Sequence, residues 1–408
     1  MDFKEHLSKY LNESEIHSLL DALEGKSYSA VLLNEEKMSS SDFLSLYPNA
    51  TKHPIIPNAF IYDKDEYPLG KTIFHELGCF YIQEPSAMLV SYLLNPRPGD
   101  FVLDMCAAPG GKTIQASLLM KNEGVIISND ISYPRLKALK ENVERMGRSN
   151  IIITNNDFSS LDKYFVNTFD KIILDAPCSG SGMFRKENKM LLDWSIAKVY
   201  KNAEIQKKLI SSAYKMLKPG GILTYSTCSF SYEEDEEVVL SLLNSSDAEL
   251  INIDDSPTFY KSKENIGIHL FPYLFSGEGH YICLIKKPGS VTNKTEFRTF
   301  NTIINKVKYL SFDMPKLNKL NVLRNGLEIG DDDKYSYQYT HYIKDFSNTL
   351  EIDYDSLQKY MRGESLSIPN IKGHVLLKYR NINVDIAKGD GRIIKNKLPK
   401  FVKLKNLV

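Results

Sequence analysis

The stretch DAPCSGSG, at residues 175–182, directly follows an apolar run and marks where a buried strand ends. Pro177 has no N–H donor and restricts the residue before it, so regular strand pairing stops there. Open α/β sheets bind their ligands at the carboxyl ends of strands, and glycines let the backbone approach a ligand closely. The stretch therefore presents the carboxylate of Asp175 and the thiol of Cys178 at a functional edge.

A second thiol stands in a similar position. The stretch YSTCS, at residues 225–229, completes another apolar run, which places Cys228 just beyond the end of a strand. A free buried cysteine is usually inert packing, which is how we interpret Cys79 and Cys283. Cys178 and Cys228 differ because both lie in polar turns, where neighbouring N–H groups can favour a reactive thiolate. We therefore predict that these two thiols form the chemical centre.

Strand-like and helix-like runs alternate on both sides of this centre, which predicts a doubly wound α/β domain. A capping box at residues 231–234 is expected to start the last helix of the domain. The predicted strands are residues 101–104, 125–128, 151–154, 171–174, 222–225 and 280–285, and the predicted helices are residues 87–94, 114–120, 133–146, 196–217 and 233–243.

A loop of small residues, CAAPGGKT at residues 106–113, connects the first of these strands to a helix. Its end is similar to a nucleotide-binding P-loop, but that pattern needs glycine five positions before Gly111, where Cys106 stands. The loop also lacks the G-x-G-x-x-G pattern of dinucleotide dehydrogenases. Its one cation, Lys112, suits a carboxylate better than a row of phosphates. Triphosphate hydrolysis and hydride transfer are therefore disfavoured.

Acidic residues after the next two strands complete a cofactor site. Asp130 stands at a distance from the loop that suits a carboxylate binding ribose hydroxyls. Asp157 can accept from an adenine amine. Each alone could simply cap a helix or turn, but together they favour S-adenosylmethionine, which has a ribose and an adenine but no phosphate. The predicted cofactor-binding residues are Cys106, Ala107, Ala108, Pro109, Gly110, Gly111, Lys112, Asp130, Arg135, Asp157 and Asp175.

Composition narrows the class of protein. A chain of 408 residues predicts two or three domains, and its formal net charge of zero gives no overall signal for a polyanion. The sequence has no apolar run that could span a bilayer and no apolar core of a secretory signal. Five cysteines without a C-x-x-C pair argue against a disulfide framework and a cysteine zinc site. We expect a cytoplasmic monomer without a metal or a membrane partner.

The regions flanking the α/β domain have a different character. The first begins with an amphipathic helix capped at Asn12 and continues through a proline-rich segment. It either packs over one end of the sheet or also helps to hold substrate. The predicted division is an N-terminal extension at residues 1–95, the α/β domain at 96–286, a linker or connecting region at 287–330 and a C-terminal module at 331–408.

Two features of the C-terminal module bear on ligands. Tyr335, Tyr337, Tyr339 and His341 alternate, which favours a half-buried strand face over a stacking platform for bases. The end of the chain is basic and is expected to bind phosphates, the alternative being a solvated face. Its cations are Lys388, Arg392, Lys395, Lys397, Lys400, Lys403 and Lys405.

Several of these motifs together resemble one family, the Nol–Nop–Sun RNA cytosine-C5 methyltransferases. The flanking regions resemble the N-terminal segment and the PUA-like C-terminal module of its bacterial RsmF/YebU branch. The resemblance implies a Rossmann-like methyltransferase sheet with an N-terminal extension and a small α+β PUA-like module. The similar stretches are DMCAAPGGKT (104–113), DAPCSG (175–180), STCS (226–229), IPNAF (56–60), YIQEPSA (81–87), YMRGE (360–364) and KLPK (397–400).

The family resemblance also implies a reaction and a role for each central residue. The reaction is methyl transfer from S-adenosylmethionine to carbon 5 of a cytosine in RNA, here 16S ribosomal RNA or the small ribosomal subunit rather than DNA. Cys228 is the implied nucleophile, Cys178 assists release of the covalent adduct, and Asp175 activates the base. The same reaction on transfer RNA and a non-catalytic RNA-binding assembly factor remain as alternatives.

Overall fold

The computed structural model describes residues 2–186, 188–290, 295–304, 306–331, 334–400 and 402. The N-terminal part contains four short helices and one antiparallel four-stranded sheet in the order β2-β3-β1-β4. Its elements are α1 (Phe3–Leu7), α2 (Glu13–Glu24), β1 (Ser29–Leu33), α3 (Ser40–Leu46), β2 (Thr51–Lys52), β3 (Ala59–Tyr62), α4 (Ile73–Glu76) and β4 (Phe80–Gln83).

The central part alternates strands with helices, as the sequence predicts. Its elements are α5 (Met88–Leu94), β5 (Phe101–Asp104), α6 (Gly111–Leu119), β6 (Val125–Asn129), α7 (Tyr133–Arg145), β7 (Ile151–Thr154), α8 (Phe158–Tyr164), β8 (Phe169–Asp175), α9 (Asn188–Leu192), α10 (Ile196–Met216), β9 (Leu217–Thr227), α11 (Glu236–Ser245), β10 (Glu249–Ile251), β11 (Ile268–Leu270) and β12 (His280–Lys286).

The last part of the chain is rich in short strands. Its elements are β13 (Thr299–Ile304), β14 (Val307–Phe312), β15 (Val322–Asn325), β16 (Leu327–Gly330), α12 (Tyr337–Tyr342), β17 (Thr349–Glu351), α13 (Tyr354–Met361), β18 (Lys372–Tyr379), β19 (Ile382–Asp390) and β20 (Ile394–Lys395).

The large central sheet has the strand order β10-β12-β9-β8-β5-β6-β7-β15, with β11 paired to β12. Strands β5 to β9 run parallel, whereas β12 is antiparallel to its neighbour β9. The order reverses between β5 and β8, which is where a doubly wound sheet opens a ligand crevice. This is the predicted Rossmann-like methyltransferase fold, and each of the six predicted strands is present.

Alternate residues of the central strands enter two separate cores, because successive side chains of a strand point to opposite faces. Val102 and Ile126 pack with residues of α5, α6 and α7. Leu103 and Ile127 pack with residues of α8, α10 and α11 on the other face. Helices therefore cover both faces, and only the strand ends remain available for a site.

The two flanking regions share one core. Phe43, Phe60 and Phe80 of the N-terminal part pack in the same cluster as Leu357 and Val375 of the C-terminal part. The C-terminal sheet has the order β17-β18-β19-β20. These regions are therefore not independent attachments to the central sheet.

Residues 287–330, expected to be a linker, are folded over most of their described length. Strands β13, β14 and β16 form a three-stranded sheet, and β15 pairs with β7 at the edge of the central sheet. Arg324 of β15 is buried, and its guanidinium donates to the carbonyl oxygens of Arg148 and Ile151. This connection therefore extends the central domain.

Two local predictions are wrong. Tyr337, Tyr339 and His341 form α12 rather than a strand, because Ser336 accepts from the N–H of Tyr339 and starts a helix there. Tyr335 precedes this helix, and its ring stacks on that of Tyr339. The expected capping box at residues 231–234 is also absent, and α11 begins at Glu236. The carboxylate of Glu234 instead accepts from Ser179 of the Cys178 loop, from Gln206 of α10 and from Ser229 of its own turn. Among the described residues, no helix has the length and apolar character needed to cross a bilayer.

Candidate active site

The two thiols of the predicted centre meet. Cys178 lies three residues beyond β8 and Cys228 lies one residue beyond β9, and these strands are parallel neighbours. Their sulfur atoms are 3.2 Å apart, and both residues are half-buried. A disulfide would require about 2.05 Å, so the two groups are separate thiols that can share a proton.

The Cys178 thiol holds its proton firmly. The hydrogen bond with Cys228, together with burial, raises the pKa of Cys178 well above its ordinary value. Cys178 therefore keeps its proton at neutral pH and can donate it towards the sulfur of Cys228. Burial also raises the pKa of Cys106, and it raises the pKa of Cys79 and of Cys283 to about 12, which suits inert packing for these three.

Asp175 is ionised beside the thiols. Although burial opposes its charge, Lys112 and His280 hold the pKa of Asp175 below its ordinary value. Lys112 Nζ lies 2.7 Å from Asp175 Oδ2, while His280 Nε2 lies 3.2 Å from Oδ1, which also accepts from Ser226 Oγ at 2.8 Å. The charge of Lys112, expected to face a cofactor carboxylate, is thus matched by Asp175 in this structure.

The small-residue loop is fixed by its neighbours in the sheet. The N–H of Ala107 donates to the carbonyl of Asn129 at 2.8 Å, and the N–H of Ala108 donates to Asp130 Oδ2 at 3.1 Å. Gly110 has a φ of 112°, and a Cβ there would lie 2.6 Å from a methyl of Leu139. Only glycine therefore fits where the loop enters α6.

Asp130 connects this loop to the start of α7. Its second oxygen accepts from the N–H of Ser132 at 2.8 Å, and Arg135 lies 3.4 Å from Oδ2 while donating to the carbonyl of Ala108. Asp157 stands apart from this network, two strands from β5. It is exposed, and its Oδ1 caps α8 by accepting from the N–H and the hydroxyl of Ser159.

The described residues fit a ligand that has a cationic amine and hydroxyl groups. Asp104 ends β5 at the switch point, and burial raises its pKa to about 7. Its Oδ2 accepts from Thr113 at 2.6 Å, but its buried Oδ1 has no partner within the described chain. An unpaired carboxylate oxygen next to the loop is suited to an ammonium group. S-Adenosylmethionine carries such a group, and the role of Asp130 towards its ribose stays a prediction.

The sequence analysis missed two residues of this site. No role was predicted for Asp104, although a carboxylate at the end of the first strand lies at the edge where such sheets bind ligands. His280 begins β12, which runs antiparallel to β9, so its first residue lies at the edge where the parallel strands end. The direction of that strand cannot be read from the sequence, so the contact between His280 and Asp175 could not be predicted.

The N-terminal part closes the thiol side of the site. Arg185 and Glu278 form a buried ion pair, with 2.9 Å between Nε and Oε2. Arg185 also donates to the carbonyl of Ala22, and Glu278 accepts from the N–H of Tyr28. Phe3 of α1 belongs to the same apolar cluster as two residues of the thiol loops, Phe184 and Phe230. The first helices thus support the loops that carry both cysteines.

Comparison with known proteins covers almost the whole chain. The model described as 16S rRNA methyltransferase RsmB/F matches residues 91–286, and the one described as the N-terminal domain of 16S rRNA methyltransferase RsmF matches residues 1–85. A third model, the methyltransferase RsmF PUA domain, matches residues 347–401.

Curated relatives and solved structures agree with these matches. Ribosomal RNA small subunit methyltransferase F of Vibrio parahaemolyticus is 33% identical, over 93% of this chain and 92% of the relative. The protein of that name from Shewanella loihica is 28% identical, over 91% and 88%. The crystal structure of a methyltransferase homolog from Pyrococcus horikoshii is 30% identical, with a TM-score of 0.62 over 69% of this chain and 93% of that chain.

Proposed function

This chain belongs to the RsmB/F family of 16S rRNA methyltransferases, and from that membership we propose that it methylates carbon 5 of a cytosine in 16S ribosomal RNA. The methyl donor is S-adenosylmethionine, and the reaction passes through a covalent bond between Cys228 Sγ and carbon 6 of the base. The observation that supports this best is the 3.2 Å separation of the Cys178 and Cys228 sulfurs beside an ionised Asp175.

Carbon 5 of cytosine is a poor nucleophile until something adds to carbon 6. A thiolate suits this step because it is strongly nucleophilic and can leave again. By family resemblance Cys228 is that nucleophile. Cys178, which keeps its proton, donates towards the Cys228 sulfur and so stabilises its anionic form before attack. Two thiols in contact thus have different duties.

Asp175 holds the base during this addition. Addition of sulfur to carbon 6 places negative charge on the ring. N3 takes a proton from solvent, which neutralises this charge, and returns that proton to solvent when the adduct breaks down. The Asp175 carboxylate, fixed by Lys112, His280 and Ser226, accepts from the protonated N3 and from the amino group. The base must leave its helix or loop to reach this pocket.

The loop at residues 106–111 would hold the methyl donor, with Asp130 towards its ribose and Asp104 towards its ammonium group. When bound, it supplies an electrophilic methyl group. After carbon 5 has been methylated, its C–H bond breaks, the proton leaves to solvent, and the electron pair expels Cys228 as a thiolate. Cys178 assists this expulsion by donating its hydrogen bond to the departing sulfur.

The decisive experiment is bisulfite sequencing of total RNA from cells with and without the gene for this chain. We expect one or more protected cytosines of 16S ribosomal RNA to lose protection in the deletion strain. A wild-type gene or a Cys283→Ala variant should restore protection, whereas Cys228→Ala should not. Loss of protection only in transfer RNA would favour that substrate, and no loss at all would favour a non-catalytic assembly factor.

A second test addresses the covalent adduct. We expect Cys178→Ala to accumulate a protein–RNA species that survives a denaturing gel, because the adduct forms but is released slowly. The matched control is the Cys178→Ala/Cys228→Ala double variant, which has no nucleophile and should give no such band. Absence of the band in the single variant would limit Cys178 to a structural role.

A further inference from the structure

Glu234 lies in the turn between Cys228 and α11, where it is fully buried. Its carboxylate accepts four hydrogen bonds. Oε1 accepts from the N–H of Ser179 at 2.7 Å and from Gln206 Nε2 at 3.2 Å, and Oε2 accepts from the hydroxyls of Ser179 and of Ser229, the latter at 2.7 Å. A buried carboxylate with this many donors is well compensated for its loss of water.

Two of these donor residues adjoin the cysteines in the sequence: Ser179 directly follows Cys178, and Ser229 directly follows Cys228. The Glu234 carboxylate therefore links the loop that carries Cys178 to the loop that carries Cys228. Gln206 of α10 strengthens the same junction, because its amide also donates to the carbonyl of Pro177 at 2.8 Å. The position of each sulfur relative to the other thus depends on bonds that converge on Glu234.

The neighbouring carboxylates of the same acidic run do other things. Glu233 pairs with His6 at 3.2 Å, Glu236 with His269 at 2.8 Å, and Asp235 accepts from the hydroxyl of Thr227. Within the described part of the chain, Glu234 is the carboxylate that bonds residues flanking both cysteines. The bonding of Glu234 to residues beside both cysteines is therefore not shared by these other carboxylates of the acidic run.

We propose that Glu234 is a positioning residue that sets the separation of the Cys178 and Cys228 sulfurs. It touches neither thiol and no reacting atom, and it acts by holding Ser179 and Ser229 on one carboxylate. Its consequence for methyl transfer rests on the proposed function, whereas its consequence for the distance between the thiols does not. A loosened junction lets the sulfurs separate, so that Cys178 no longer reaches Cys228.

The direct test measures the two thiols themselves in the full-length protein, without RNA or methyl donor. Phenylarsine oxide binds tightly only where one arsenic atom can bridge two nearby thiols, and a Cys178→Ala variant gives the background from other cysteines. We expect Glu234→Ala to slow bridging by at least about tenfold, a scale typical of misplaced reacting groups. Alkylation of single thiols by iodoacetamide should continue in this variant.

The matched control is Glu237→Ala. Glu237 stands three positions further along the same acidic run, but its carboxylate pairs with Lys207 at 2.9 Å on the surface of α11. We expect bridging in this variant at the wild-type rate. Glu234→Gln should also retain bridging, because the amide oxygen can accept from the Ser179 N–H while its NH₂ group donates to the two hydroxyls.

Methyl transfer provides the second measurement. At saturating RNA and donor we expect Glu234→Ala to lower kcat on the order of 100-fold, the effect of a small misplacement of reacting groups, with the Kd of the donor unchanged. If the wild-type protein transfers no methyl group but Glu234→Ala still slows bridging, the proposed function fails and the positioning role stands.

Several results would overturn the positioning role. One is a bridging rate and kcat of Glu234→Ala equal to those of Glu237→Ala, even with a lower Tm, because Glu234 would then only stabilise the fold. If Glu234→Ala does not fold, Ser229→Ala removes one of the four bonds and should slow bridging a few-fold. Unchanged bridging in that folded variant would equally reject the role.

Discussion

The two sides of the candidate site are built in different ways. The donor side comes from one continuous stretch, residues 104–135, in which backbone N–H groups bind Asp130 and the carbonyl of Asn129. The thiol side is assembled from four distant stretches, around Ala22, Ser179, Glu234 and Glu278. The donor side depends on local backbone geometry. The thiol side depends on buried charged groups whose bonds link residues far apart in the sequence.

This difference predicts how each side responds to change. The effect of a mutation on the donor side should remain local, because the regular pairing of β5 with β6 fixes the strands next to the loop. Damage to the thiol side should spread, because an unpaired buried charge destabilises every element that packs against it. Binding of the donor and arrangement of the thiols should therefore be separable by mutation.

The largest expected effect separates the two sides completely. We expect Cys228→Ala to lower methyl transfer on the order of 10⁴-fold or more, as removal of a catalytic nucleophile does, while the Kd for S-adenosylmethionine is unchanged. Single-turnover methylation and calorimetric titration measure the two quantities. A parallel loss of donor binding would show that the sides are coupled, and near-normal methylation would reject the nucleophile.

The next effect is on stability and belongs to the thiol side. Arg185→Leu leaves Glu278 buried and unpaired, which should lower the free energy of unfolding by about 3–5 kcal/mol. Urea denaturation measures it. The control is the Arg185→Leu/Glu278→Leu double variant, which removes both charges and should recover part of the loss. A single variant as stable as wild type would mean that this ion pair does not hold the N-terminal part in place.

The donor side was the more predictable from sequence for a physical reason. Its strands carry unbroken apolar runs, and its loop and Asp130 stand within 25 residues of each other, so that spacing along the chain translates into spacing in space. The six central strands and most of the helices between them could therefore be located, although α8 and α9 were not predicted. The role of Asp104 was within reach of the same reasoning.

The thiol side shows where local rules fail. Glu234 fits the local pattern of a capping box, but three donors from two distant segments and a fourth from nearby Ser229 outweigh a single bond at the start of a helix. His280 needed the direction of β12, which no periodicity contains. The pairing of β15 with β7 was not predicted, because it depends on a strand far away in the sequence rather than on the composition of β15.

A smaller effect sharpens the description of the donor side. Asp130→Asn brings an NH₂ group against the N–H of Ala108 or of Ser132, so donor affinity should fall about tenfold, equivalent to about 1–2 kcal/mol for a disrupted buried bond. Calorimetric titration measures the Kd, and kcat at saturating donor should change little. An unchanged Kd would remove Asp130 from the donor site.

Asp157→Asn is the matched comparison for Asp130→Asn. Asparagine caps a helix as well as aspartate does, so α8 should be unaffected, and any change in Kd reports on a contact with the donor itself. We expect the Kd to rise a few-fold, since the proposed hydrogen bond from the adenine amine would be made to a neutral amide oxygen instead of a carboxylate. An unchanged Kd would reduce Asp157 to the cap that it forms with Ser159.

The smallest effect concerns the basic end of the C-terminal module, and the shared core decides how it can be tested. Truncation near Lys286 would remove the C-terminal residues that pack against Phe43 and Phe80 and would expose these two rings, so a loss of RNA affinity would be ambiguous. Charge variants avoid this problem. Arg392 and Lys395 are exposed, whereas Lys403 and Lys405 lie outside the described residues.

We expect the Arg392→Gln/Lys395→Gln double variant to weaken RNA binding a few-fold at moderate salt. It should also reduce the slope of log affinity against log salt by about two, one for each phosphate that is no longer neutralised. Filter binding of a 16S ribosomal RNA fragment over a range of salt concentrations measures both quantities. Lys163→Gln, at an exposed lysine of α8, is the control for removal of a cation elsewhere. An unchanged slope in the double variant would make these two cations part of a solvated face, and the affinity for RNA would then have to come from the central domain and the N-terminal part.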